Sequence, residues 1–158
     1  MRISFDIDET LVCRKASGPC ETGLGATIAR YLFDDPLRLG ARILFSELRA
    51  RGHEVWIYTT SLRTEPRTRT WLWLHGIEID GFVNFPMHCN SIKALQMIPA
   101  PSKFPPSFGI DLHIDDLDGV AIEGTRHGFK VLVVRSDDLD WAEKVLDAEK
   151  KMRESTAK

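Results

Sequence analysis

The sequence lacks most of what would tie it to a disulfide framework, a membrane or a polyanion. There are three cysteines, Cys13, Cys20 and Cys89, and no Cys-x-x-Cys pair. An odd count without metal-ligand spacing reads as reduced thiols. No apolar run approaches the roughly 20 residues that a bilayer-spanning helix needs. The opening MRISFDIDET reaches an acid at Asp6, unlike a secretory leader. Charge of one sign is missing too: 21 basic and 23 acidic side chains leave a formal net charge of -2. That balance argues against a general nucleic-acid binder. No GxxxxGK[ST] occurs, which excludes a P-loop enzyme. Gly23-Leu24-Gly25 is no dinucleotide fingerprint, because no strand precedes it and Ile28 stands where the third glycine belongs. The expected compartment is cytoplasmic, with no membrane partner.

What is present is one α/β domain over residues 1–158. Hydrophobic residues make up 43% and charged residues 28%, ordinary for a globular chain. Five short apolar, β-prone runs read as strands: 2–7, 54–58, 82–85, 110–114 and 129–134. Between them, helical spacing predicts helices over 37–51, 64–75, 91–97, 120–127 and 139–152, with residues 153–158 a frayed tail. Pro99 to Pro106 reads as a loop. Strands alternating with helices predict a three-layer domain around a parallel sheet of five strands. Such sheets bind ligands beyond the carboxyl ends of their strands.

Three of those ends carry a coherent set. After the first strand comes DIDET, with Asp6 and Asp8 two apart. Period-two alternation sends both carboxylates to one side. Two such charges repel, so a divalent cation or a division of roles is required. Thr10 is expected to hydrogen-bond locally and hold the turn. After the second strand come Thr59, Thr60 and Ser61, whose hydroxyls and N–H groups suit a phosphate. After the fourth come Asp115 and Asp116, which complete an oxygen donor set for Mg²⁺. A lysine must neutralise a transferring phosphoryl group. Lys103 is favoured and Lys93 is the alternative.

In this order and at these strand ends, the motifs resemble those of the haloacid-dehalogenase-like superfamily of phosphatases. Asp6, Asp8 and Thr10 match its DxDx[TV], Thr59 its second motif, Lys103 or Lys93 its third, and Asp115-Asp116 the DD form of its fourth. The resemblance implies a Rossmann-like domain and a phosphohydrolase with an aspartyl-phosphate on Asp6 and Asp8 as general acid/base. It also implies Mg²⁺ held by Asp6, Asp8 (through its carbonyl), Asp115 and Asp116, and phosphate held by Thr59, Thr60 and Lys103. Residues 11–36 leave room for a flap or one short helix but no cap domain. That suits a bulky or macromolecular phosphorylated substrate, in a monomer or homodimer. Phosphotransfer to another acceptor, or a silent domain that holds a phospho-ligand, are the competing functions. Arg63, Arg67 and Arg69 read as a solvated helix face, with anion selection as the alternative. Cys13 and His113 read as structural, and His88 and Cys89 lack partners at metal spacing.

Overall fold

A computed structural model describes residues 1–12, 14 and 18–156. Cys13 and residues 157–158 lie outside them. The strands are β1 (Arg2–Phe5), β2 (Glu54–Tyr58), β3 (Gly81–Val83), β4 (Leu112–Asp115) and β5 (Lys130–Val133). The helices are α1 (Leu24–Phe33), α2 (Ala41–Ala50), α3 (Glu65–Leu74), α4 (Phe85–Ala94), α5 (Asp118–His127) and α6 (Trp141–Thr156). A 3₁₀ turn covers Pro105–Phe108.

All four ladders are parallel, in the order β3-β2-β1-β4-β5. This is the expected Rossmann-like α/β sheet. The order reverses between β1 and β4, so a crevice opens at their carboxyl ends. Ile3 and Phe5 of β1 are fully buried. The Phe5 ring lies 4.7 Å from that of Phe45 on α2. Helix α2 buries Ala41, Leu44, Phe45 and Leu48, one stripe at helical spacing. Trp71 is buried, whereas Trp73 is 66% exposed, as their alternation on α3 requires.

Several boundaries differ from the sequence reading, each for a local reason. Strand β1 stops at Phe5 rather than Ile7, because the chain turns through a left-handed Glu9 (φ 58°). Helix α2 starts at Ala41, since Gly40 before it is left-handed (φ 89°). The helix expected over 91–97 instead spans Phe85–Ala94. Asn84 caps it by accepting from Met87 N, and a proline occupies its first turn. Helix α6 continues past Met152 to Thr156. An i,i+4 pair of Arg153 with Glu149 (3.4 Å) lies in that extension.

From residues 11–36 the described part contributes one helix, α1, packed beside α3. A Cβ on Gly25 would lie 1.9 Å from the Leu74 carbonyl oxygen. Gly25→Ala therefore forces the two helices apart. It should lower unfolding stability by about 1–3 kcal/mol, read as a reduced urea midpoint with an unchanged m-value.

Candidate active site

The first strand delivers Asp6 into the crevice. Its N–H donates to the Ile114 carbonyl (2.9 Å), which ties it to β4. Ile7 is fully buried on the opposite side. The turn that follows is closed by the backbone: Leu11 N and Val12 N both donate to the Ile7 carbonyl (3.0 and 2.8 Å). The Thr10 hydroxyl does not hold it. That group is buried without a hydrogen-bond partner among the described residues, and it is the Thr10 carbonyl that accepts from Arg38 (3.2 Å).

Asp115 ends β4 beside Asp6. Lys103 Nζ lies between the two carboxylates, 2.7 Å from Asp6 Oδ1 and 2.6 Å from Asp115 Oδ2. All three residues are buried. Lys93 lies on α4 and makes no such contact. Asp115 is further held by the Leu117 N–H (2.9 Å) and by His113 Nε2 (3.0 Å). His113 Nδ1 in turn meets Ser4 Oγ at 2.8 Å. An ionised Asp115 only accepts, so Nε2 carries the ring proton and Ser4 donates to Nδ1.

Burial penalises every charge here, and partners decide the outcome. Burial drives the Asp6 carboxyl up to about 6; Lys103 opposes this and the Asp115 charge adds to it. Burial also works against Asp115, but the His113 hydrogen bond and the Lys103 charge outweigh it and hold that carboxyl well below the usual range. Lys103 is raised, because the two carboxylates overcome its desolvation. Burial lowers His113 to about 4, so the ring is neutral. Asp116 is raised by burial and by Asp115.

Asp8 is in a different setting. It is half-exposed and gripped by Arg63, with Nη1 2.5 Å from Oδ2 and Nη2 2.9 Å from Oδ1. Arg63 Nη2 also reaches Asp35 (3.5 Å), and Arg14 pairs with Asp35 and approaches Asp8 at 3.9 Å. Thr59, buried at the end of β2, donates to Ser61 Oγ (3.1 Å), which accepts from Arg63 N and Nη1 (both 3.3 Å). Second-strand hydroxyls and first-strand acid thus join through Arg63. This corrects the reading of three arginines on one solvated helix face. Arg63 precedes α3 and enters the site, Arg67 lies over the Phe33 ring (4.9 Å), and Arg69 pairs with Glu65 (2.7 Å). Thr60 is exposed and lines a neighbouring groove.

A clamp holds the lysine loop. Phe104 N–H donates to the Tyr58 hydroxyl (2.9 Å), and that hydroxyl lies 2.6 Å from His88 Nδ1. On the other side of Lys103, Ser102 N–H donates to the Glu123 carboxylate (2.9 Å to Oε2). The chain is therefore fixed on both sides of Lys103. Sequence reasoning missed Arg63, Tyr58 and His88 as contributors and read His113 as merely structural. The signal for His113 was present, since it alternates with Asp115 on one strand face. His88 had no such signal, because its partners come from other elements.

Among the described residues no group of three or more His, Cys, Asp and Glu side chains is placed to hold a metal ion. Lys103 lies between Asp6 and Asp115. No donor engages Asp6 Oδ2 among the described residues, and Mg²⁺ can take one or two carboxylates and keep its waters.

No family model matches the sequence, and no curated protein is similar to it. Solved structures share the fold. A chain of a Pnkp1/Rnl/Hen1 complex superposes with a TM-score of 0.51 at 15% identity, over 84% of this chain and 45% of that one. A chain of the Pnkp1/Rnl/Hen1 RNA repair complex gives 0.51 at 14%, over 87% and 43%. This protein thus spans less than half of those chains. A predicted HAD-like family hydrolase from Porphyromonas gingivalis gives 0.42 at 14%, over 88% and 93%.

The Asp6 setting predicts a cost in stability. Its folded pKa of about 6 exceeds the unfolded value of about 4. Stability from this group is therefore full below pH 4 and lost as pH rises through 6. At pH 7, in chelator, Asp6→Asn should raise the unfolding free energy by up to about 3 kcal/mol. The gain should vanish near pH 4. A variant that melts below wild type at pH 7 would show that the Asp6 charge is net stabilising.

Proposed function

We propose that this chain is a Mg²⁺-dependent phosphomonoesterase of the haloacid-dehalogenase-like type. The observation that carries the reading is Lys103 Nζ within 2.7 Å of both Asp6 and Asp115 at the carboxyl ends of two adjacent strands. A buried carboxylate beside a buried ammonium is an arrangement for nucleophilic attack on a dianion. The carboxylate attacks, and the ammonium draws the phosphoryl oxygens to it.

In this reading Asp6 attacks phosphorus in line and carries the phosphoryl group as an acyl phosphate. Asp8 gives a proton to the leaving oxygen and then takes one from the attacking water. The two acids divide their roles by environment. Asp6 is buried and faces lysine, whereas Asp8 reaches solvent and is oriented by Arg63. Thr59 and Lys103 hold the phosphoryl oxygens, with Thr60 at the rim. Asp6, Asp115, Asp116 and the Asp8 carbonyl would hold Mg²⁺. The bound ion would add charge neutralisation at the transferring group.

Among its described residues the segment 11–36 adds α1 and no strand of a second sheet, which supports a capless enzyme with an open site and a bulky phosphorylated substrate. Because the fold is shared with chains of a complex titled for RNA repair, a phosphorylated strand end belongs among the substrates to assay. No helix of the described residues is long and apolar enough to cross a membrane, in keeping with a cytoplasmic enzyme.

Three outcomes test the reading on a panel of aryl, nucleotide, peptide and strand-end phosphates. Asp6→Asn should abolish turnover, Asp8→Asn should reduce kcat by about 10²–10⁴-fold, and EDTA should remove activity that Mg²⁺ restores. Wild-type turnover by pure Asp6→Asn would rule out the covalent route. The pH profile should fall on the acid side as Asp6 protonates near pH 6. Bound Mg²⁺ should move that limb lower, because a cation favours the carboxylate.

A further inference from the structure

Beside the carboxylates lies a groove that the proposed chemistry does not use. It has a volume of about 850 Å³ and runs between α4 and residues 96–102. Its floor is His88 and Ile92, both buried. Its walls include Phe85, Met97 and Ile98, and Ile98 is 94% exposed. The size and apolar lining are those of a small-molecule pocket. Large apolar side chains held open to water need an occupant.

Two observations say what that occupant is. First, the groove adjoins the site along the chain. Thr60 lines it and directly follows Thr59, and Ser102 lines it and directly precedes Lys103. The backbone that presents the phosphate-side residues is thus the same backbone that forms the groove wall. Second, its only charged lining residue is Lys93, with no carboxylate. No ion pair engages Lys93 among the described residues. The lining therefore disfavours a cation and favours apolar matter.

We infer that this groove binds the organic part of the substrate, and that this part is a flat, uncharged aromatic group joined to the phosphate. Phe85 and the neighbouring aliphatic side chains offer faces to a ring, and Gln96 and Thr60 offer polar contacts at its edge. The inference rests on the phosphatase reading and specifies its substrate class. A short, polar phosphomonoester fills the carboxylate site and leaves the groove to water, so it gains nothing from these walls.

The test compares 2-naphthyl phosphate with glycerol phosphate, with Mg²⁺. Wild type should prefer the naphthyl ester in kcat/KM by on the order of 10- to 100-fold, the worth of burying one aromatic group. Ile98→Asp places a charge in an exposed wall outside the catalytic machinery. It should raise KM for the naphthyl ester about 10-fold and leave glycerol phosphate turnover unchanged. Phe85→Ala should act in the same direction. Equal use of both esters by wild type, or an equal loss of both in Ile98→Asp, overturns the inference and leaves the phosphatase reading standing. If neither ester turns over, the phosphatase reading fails. Naphthyl fluorescence then decides the groove on its own: weaker binding to Ile98→Asp than to wild type supports it, and equal or absent binding overturns it.

Discussion

The structure is organised around one buried ammonium. Lys103 lies between Asp6 and Asp115, within 2.7 Å of each. Removing the ammonium would leave two uncompensated buried carboxylates, and losing the shared partner of a buried ion group typically costs about 3–5 kcal/mol. The arrangement therefore depends on the lysine. The fold must bring together position 6, position 103 and position 115. Parallel pairing of β1 with β4 supplies the two acids, with Asp6 N bonded to the Ile114 carbonyl. The lysine arrives on a loop, and loops hold position poorly unless tied. Tyr58, itself bonded to His88, and Glu123 provide that tie by bonding the backbone at Phe104 and at Ser102, on either side of it.

The same constraint separates the two acids of DIDET. A second lysine-bridged carboxylate in that space would add another desolvated charge. Asp8 instead reaches the half-exposed edge and takes its cation from Arg63, which Ser61 and Asp35 steady in turn. Two acids two residues apart thereby meet two different dielectrics. Division of labour between neighbouring carboxylates rests on such a difference. It requires no distortion of the strand, only that one side chain face inward beside β4 and the other outward toward the loop after β2.

How much of this was legible in the sequence follows from the range of each interaction. The five strands and their parallel order are carried by local apolar runs and intervening helices, and all five formed. That Asp6, Asp8, Thr59 and Asp115 fall at or just beyond strand ends was legible because a strand end is a local feature. Lys103 could be favoured over Lys93, but only the folded loop shows it between the carboxylates. Arg63 was hidden because it sits one residue before the cap of α3, where a helical reading of its neighbours absorbs it. His88 was hidden because helix α4 begins at Phe85 under an Asn84 cap, earlier than periodicity alone implied. Thr10 misled for the opposite reason: a residue able to hold a turn was credited with it, while backbone bonds to Ile7 already sufficed.

The clamp and the groove share His88, and this couples positioning to recognition. Its Nδ1 is committed to Tyr58, and the residue also lines the groove. The loop segment 96–102 that walls the groove leads directly into Lys103. An occupant seated there therefore packs against the same backbone that carries the buried ammonium. Binding energy gained by the organic group can then hold the phosphate-side lysine in place at no added contact to the phosphate. This is how interactions remote from a reacting centre lower its barrier: they restrict the geometry in which the charged groups meet. On the proposed capless reading the site has few other surfaces from which to draw such energy, and the groove adjoins the loop that carries the lysine.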